Sequence, residues 1–341
     1  MQRRELGQTG LQISPIGFGV WTISAGWWGD YSEEEAHQLL RTAYDHGINF
    51  FNTGNVYGDD GYGERLVRDA LADVADDVVI GTTFGYVVDA PREGSGHRER
   101  PQDWSPDAIR RSLEQSLTNL GRDSIDVWQL HNPKMDAMQD DALWETLDAL
   151  RSEGLVKAVG PSMGPRIGWR DEGVFVLRER NVDFVHHIFN LLEQDPGREF
   201  NELAAERNVG ILIRVPHSSG LLEDQFTLET TFDSSDHRSH RDRAWLEEGL
   251  QKIDQIRFLL EDRTQPDGSP ATMGQLALKW LLADPAITSA QPNFYDARQI
   301  AELAASPDIE ELDADELGEL DTLYRLNFGV EAGGVPVGAG S

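Results

Sequence analysis

The chain has 341 residues, 60 of them acidic and 30 basic, a formal net charge of −30 and no cysteine. A hydrophobic fraction of 39% supports a buried core and excludes a wholly disordered chain, while the missing cysteines exclude disulfides, thiolate metal sites and thiol catalysis. The acidic excess argues against nucleic acid and anionic membranes as partners, because phosphate contacts need clustered Lys and Arg.

Arg4 to Ser14 holds a turn signal between short apolar stretches and predicts a hairpin. A regular alternation follows. Strands are expected at Ile16 to Val20, Ile48 to Asn52, Asp77 to Phe84, Ile125 to His131, Val156 to Ser162, Asp183 to Phe189, Val209 to Val215 and Ile287 to Gln291. Between them, helical spacing covers Ser32 to Asp45, Glu64 to Ala75, Ser105 to Leu120, Ala142 to Arg151, Gly173 to Arg180 and Phe200 to Arg207. Ser32 followed by acids, and Pro106 in a first turn, are helix-start signals. An acidic insert around Asp233 to His240 reads as a solvated loop, followed by helices at Ala244 to Leu260 and Met273 to Leu282. Two more helices, Ala297 to Ala305 and Ala314 to Tyr324, end the pattern.

Eight apolar strands alternating with helices predict a parallel sheet, and eight units in about 300 residues suit a closed (β/α)8 TIM barrel with an N-terminal hairpin and extra C-terminal helices. An open doubly wound sheet is the alternative, but Gly17-Phe-Gly19 lacks the third glycine of a dinucleotide fingerprint. One domain is expected over 1–327, with 328–341 a disordered tail. No apolar run approaches the roughly 18–20 residues of a membrane span, and Met1-Gln-Arg-Arg leads into no apolar signal core, so a soluble, cytoplasmic protein is expected. The acid is dispersed, and only Lys134, Lys157, Lys252 and Lys279 are lysine. That pattern suits a salt-rich, halophilic cytoplasm, where a Debye length of ~3 Å near 1 M salt screens self-repulsion.

In a barrel the site lies where strands end. Those ends carry Gly19, Trp21, Asn52, Thr83, His131, Asn132, Ser162, Phe189, Asn190, Arg214, Pro216, His217 and Asn293, with Tyr57 in the loop after the second barrel strand. The set is polar and aromatic and has no carboxylate pair. His186 and His187 alternate faces of one strand, so at most one points inward. With no carboxylates at matching strand ends, no metal is expected despite His131 and His217 nearby. Trp27, Trp28 and Tyr86 lie where a substrate mouth would be, and the long loop from Tyr86 to Trp104 is a candidate cover.

Several blocks, in order, carry a resemblance. Leu6-Gly-Gln-Thr-Gly-Leu-Gln-Ile-Ser-Pro-Ile-Gly-Phe-Gly19, Phe51-Asn-Thr-Gly-Asn-Val-Tyr57-Gly58, Ile125-Asp-Val-Trp-Gln-Leu-His131, Phe189-Asn-Leu-Leu192, Pro216-His-Ser-Ser-Gly220-Leu-Leu222 and Ala277-Leu-Lys-Trp-Leu-Leu282 are similar to successive motifs of the aldo-keto reductases. The resemblance spans nearly the whole chain. It implies hydride transfer between NAD or NADP and a small carbonyl or alcohol, with Tyr57 as general acid and His131 orienting the carbonyl. The family's Asp position is Asn52, and its Lys position is Thr83. Loss of both charges removes the ordinary means of acidifying Tyr57, and the two neutral side chains are expected to hydrogen-bond where the ion pair stood.

The resemblance also assigns cofactor contacts to Gly19, Trp21, Ser162, His186, Arg214, Pro216, Gly220, Asn293 and Gln299, and substrate contacts to Trp28, Tyr86 and Asn132. Met163, His186 and Arg214 stand where the family has Asn, Gln and an aromatic residue. Tyr295 stands where a basic residue normally meets the 2′-phosphate, which leaves NAD and NADP both open. Arg214 is a candidate substitute cation for Tyr57. A second reading is a non-catalytic barrel that senses the nicotinamide nucleotide, and a third is cofactor-free barrel chemistry.

Overall fold

The computed structural model describes residues 1–26, 28–58, 61–90, 100–164, 166–234 and 236–330. Strands β1 (Arg4–Glu5) and β2 (Gln12–Ile13) form an antiparallel hairpin. The barrel strands are β3 (Phe18–Gly19), β4 (Phe50–Asn52), β5 (Val79–Phe84), β6 (Ile125–His131), β7 (Val156–Ser162), β8 (Phe184–Ile188), β9 (Gly210–Arg214) and β10 (Ile287–Gln291). They lie in sequence order, each parallel to the next. The ring closes between its first and last strands by a parallel bridge, Ile16 to Ala290, with Gly17 N–H donating to the Ala290 carbonyl at 2.9 Å. The expected (β/α)8 barrel is therefore the fold.

The hairpin plugs the bottom of the barrel. Leu6 and Ile13 join the inward residues Phe50, Val127, Ala158, Phe184 and Leu212 in one buried cluster. Arg4 donates to the Leu282 and Ile287 carbonyls at 2.8 and 2.6 Å, tying the hairpin to the base of β10. Outward residues such as Ile80, Trp128, Val159 and Val185 pack under the helical ring. Alternation along each strand thus divides the chain between an interior that becomes polar towards the top and an apolar outer layer.

The helix-start signals function as their chemistry requires. Ser32 and Glu35 form a capping box on the helix Glu33–Asp45, and Ser105 accepts from Ala108 N–H at the start of Pro106–Leu120. Thr272 and Gln275 do the same for Met273–Ala283. Several expected boundaries shift. The first barrel strand shrinks to two residues and turns at once into a short helix, Trp21–Ser24. The expected Glu64 to Ala75 helix starts earlier, at Tyr62, and ends at Ala70, with a 3-10 turn after it. The helix Arg243–Ile256 also tightens into a 3-10 turn, Arg257–Leu260.

A second apolar cluster lies beside the barrel. Trp245, Leu246, Ile253, Met273, Leu276, Leu320 and Phe328 join the helices Arg243–Ile256, Met273–Ala283 and Ala314–Arg325. The domain boundary expected at 327 falls inside a packed turn, because Phe328 is buried against Tyr324 and under Lys252. Residues 331–341 of the expected tail lie outside the described residues. Among the described residues no helix is long and apolar enough to cross a membrane.

Candidate active site

The upper ends of the strands bring the expected residues to one mouth. Asn52 ends β4, Thr83 lies in β5, His131 ends β6, Ser162 ends β7, His186 lies in β8 and Arg214 ends β9. The register pairs His131 with Ser162 and Ser162 with His186, so these three stand side by side. His187 faces the opposite way and bonds Asn201 through Nε2 at 2.9 Å, as the strand alternation requires.

Tyr57 reaches this mouth from the loop after β4. Its ring meets His131 edge-on at 5.9 Å and Trp21 edge-on at 5.0 Å between centroids. Tyr86 covers His131 from the other side at 4.9 Å, and its hydroxyl accepts from Asn132 Nδ2 at 2.9 Å. Gly54 makes this arrangement possible. A Cβ there would lie 2.6 Å from Thr83 Oγ1 and 3.1 Å from the Tyr57 ring, so only glycine lets the loop bring the two together.

The polar interior divides into two separate hydrogen-bond groups. Asn52 Oδ1 accepts from Gln129 Nε2, and Gln129 Oε1 lies 2.8 Å from His186 Nδ1. Ser162 Oγ is 3.3 Å from the same nitrogen. Independently, Thr83 Oγ1 and His131 Nδ1 are 3.1 Å apart. Asn52 and Thr83 therefore do not bond to each other where an ion pair would have stood. Asn52 is in register with Gly81, which has no side chain, so its amide reaches across β5 to Gln129 on β6.

Burial governs the ionisation of this site, and Arg214 modifies it. Burial pushes the Tyr57 phenol up from its ordinary value, and the charge that opposes it is the Arg214 guanidinium. Burial first, and then the Arg214 charge, together push His131 down to about 3. His186 is held well below the usual histidine range, first by burial and then by Arg214. All three groups are neutral at neutral pH. The guanidinium of Arg214 is held near the mouth by the Met163 carbonyl, 3.5 Å from Nη1.

The other end of the mouth carries the remaining expected contacts. Pro216 and Gly220 belong to the loop after β9, where Val215, Ser218, Ser219 and Gly220 all have positive φ. Asn293 Oδ1 accepts from Thr22 at 3.0 Å, and its amide donates to the Tyr295 hydroxyl at 3.2 Å. Gln299 Oε1 accepts from Tyr295 N–H at 3.0 Å, and Nε2 donates to Glu223 at 3.3 Å. Burial, then the Glu223 carboxylate, pushes the Tyr295 phenol well up. Gly19 sits beside Asn52 in register.

The acidic insert is solvent-exposed over much of its length, as its composition suggests, and is anchored at Arg238. Arg238 pairs with Asp236 through two nitrogens, at 2.9 and 2.6 Å. Its guanidinium also lies over Trp28, Phe226 and Phe232 at 5.0, 5.3 and 4.8 Å. The insert is thereby joined to Trp28 by a cation–π contact between residues about 210 apart that sequence spacing does not reveal. Trp27 and residues 91–99 of the expected cover lie outside the described residues. Two contributors were missed in the sequence. Gln129 shares the inward parity of His131 and was legible from it. Gln102, which donates to the His131 and Asn132 carbonyls at 2.9 and 3.0 Å, carries no comparable signal.

Comparison with known proteins agrees with this architecture. The profile described as Aldo/keto reductase family matches residues 15–325. The chain is 26% identical over 325 residues to the "Uncharacterized oxidoreductase YqkF" of Bacillus subtilis (strain 168), covering 94% of this chain and 96% of that protein. It is 27% identical over 331 residues to the "NADH-specific methylglyoxal reductase" of Escherichia coli (strain K12), covering 92% and 96%. Among solved structures, the glycerol dehydrogenase AKR11B4 from Gluconobacter oxydans superposes with a TM-score of 0.81 at 23% identity over 98% of each chain. The holo form of aldo-keto reductase AKR11C1 from Bacillus halodurans gives a TM-score of 0.74 at 23% identity, covering 95% and 96%. With a family match over nearly its whole length on a closed parallel barrel, this chain belongs to the aldo/keto reductase family.

Proposed function

We propose that this oxidoreductase reduces a small carbonyl compound at the meeting point of Tyr57 and His131, with NADH preferred over NADPH. The observation that carries the reading is the buried triangle of Tyr57, His131 and Tyr86 at the upper ends of the strands. When bound, the nicotinamide supplies the hydride. The chain itself supplies the rest. Tyr57, kept protonated by burial, gives its proton to the developing alkoxide. His131, neutral, orients the carbonyl oxygen by a hydrogen bond. Arg214 takes the place of the family's lysine as the charge that favours ionised Tyr57. Asn52 and Thr83, carrying no charge, have moved from acidifying Tyr57 to holding its neighbours.

The residues fit a nicotinamide group. His186 Nε2 is buried without a partner among the described residues, and Ser162 Oγ lies next to the same ring. A carboxamide can satisfy both. At the other end, Tyr295 takes the position that the family resemblance gives to the 2′-phosphate's basic partner; the Glu223 carboxylate acts on it, and Arg238, whose charge it also feels, is paired with Asp236. A dianionic phosphate is disfavoured there, and a ribose hydroxyl is accepted. The same residues suit a cytoplasmic enzyme working in concentrated salt, where the charge of −30 keeps the chain soluble.

The test is an equilibrium titration of NADH and NADPH, followed by tryptophan quenching, from dilute buffer to molar KCl. Saturable binding, tighter for NADH and best sustained at high KCl, is expected. No binding of either nucleotide by folded protein would overturn the reading. Tight binding without turnover of any carbonyl would favour the nucleotide-sensing alternative.

A further inference from the structure

Thr83 raises a question that the loss of the lysine leaves open: what a hydroxyl at that position does. Its Oγ1 is buried and lies 3.1 Å from His131 Nδ1, on the adjacent strand and two residues beyond Thr83's register partner Gln129. This is the diagonal neighbour on one face of a sheet. The bond can run in either direction, and the direction decides the tautomer of His131.

The surroundings choose between them. If His131 Nδ1 carried the proton, the Thr83 hydroxyl would have to donate elsewhere. Among the described residues no other acceptor lies within hydrogen-bonding reach of it, and Gly54 packs directly against the oxygen. A buried hydroxyl proton would then be left unpaired, which folded proteins avoid. If Thr83 donates, its proton is satisfied, and His131 carries its own proton on Nε2. A neutral imidazole with N–H towards the reacting oxygen is a competent carbonyl polariser.

We propose that Thr83 is a positioning residue that donates to His131 Nδ1 and fixes the ring as the neutral Nε2–H tautomer, the form able to donate to a substrate carbonyl oxygen. This rests on the reading of His131 as the orienting group and deepens it. The position thus acts through His131 and not through Tyr57. Arg214 supplies the charge that a lysine would have supplied, and Thr83 supplies a direction.

The experiment is nitrogen NMR of full-length protein with selectively 15N-labelled histidine, His131 being assigned by the signal lost in His131→Gln. In the unaltered protein, Nδ1 is expected at the unprotonated shift and Nε2 at the protonated one, unchanged across neutral pH. Thr83→Ser keeps this pattern. Thr83→Val loses it, and lowers kcat for carbonyl reduction by about 10–100-fold, short of the ~10²–10³ typical for removing such a donor outright. Thr83→Ser restores the rate. Protonated Nδ1 in the unaltered protein, or an unchanged tautomer in Thr83→Val, would overturn the proposal. Absence of any carbonyl turnover alongside the Nε2–H form would count against the proposed activity while supporting the tautomer assignment.

Discussion

At Tyr57 two influences oppose each other: burial raises the phenol, and the Arg214 guanidinium lowers it. A general acid must be protonated to act, so activity falls as pH rises through the Tyr57 pKa. Removing the cation in Arg214→Leu raises that pKa further. The alkaline fall of the pH–rate profile should therefore move to higher pH, while kcat at neutral pH drops by roughly 10-fold, because a weaker acid transfers its proton less readily. An alkaline limb that stays in place, measured with saturating NADH, would remove Arg214 from this role. The candidate residues at this scale were legible because strand ends can be read from apolar runs. Tyr57, His131 and Ser162 follow from that reading, His186 from the resemblance to the aldo-keto reductases, and all four share one mouth. Their partners were not legible. Nothing in the sequence says that Asn52 bonds Gln129 instead of Thr83, since the choice depends on which strand faces the gap.

The barrel strands were largely readable as elements, and their boundaries were least readable where a turn or helix begins at once. The first barrel strand was expected to run from Ile16 to Val20 and is cut to Phe18–Gly19, because the residues before it turn to bridge β10. The insert is exposed as its polar composition predicts, but its anchor, one arginine over three aromatic rings, could not be read from that composition. The hairpin is seated by backbone contact as well as by its side chains. Gly7 has φ +56, and a Cβ there would lie 2.5 Å from the Asp183 carbonyl and 3.0 Å from Gly210 N. Gly7→Ala combines a left-handed backbone with a clash against main chain. It should destabilise the fold by about 2–4 kcal/mol, read from the denaturant midpoint. NADH affinity should be unchanged, because the plug lies at the opposite end of the barrel from the mouth. An unaltered midpoint would show that the hairpin is not seated this way.

The whole molecule combines a family scaffold with an unusual charge arrangement. Over the whole chain, 60 acidic residues stand against 30 basic ones. At the reacting end of the mouth Tyr57, His131 and His186 are neutral and feel the charge of Arg214. Closure of the ring through Ile16 and Ala290 places these residues within one enclosure, although the sequence separates Tyr57 from Arg214 by 157 positions. We propose that this enclosure carries out hydride reduction with Tyr57 as the proton donor. The most direct test follows NADH consumption and alcohol formation from a panel of small aldehydes and ketones in molar KCl, with the unaltered protein and Tyr57→Phe side by side. One alcohol formed per NADH consumed is expected, with a loss of about 10²–10⁴ in kcat for Tyr57→Phe and NADH binding retained. Equal rates from the two proteins, or turnover that proceeds without NADH, would contradict it.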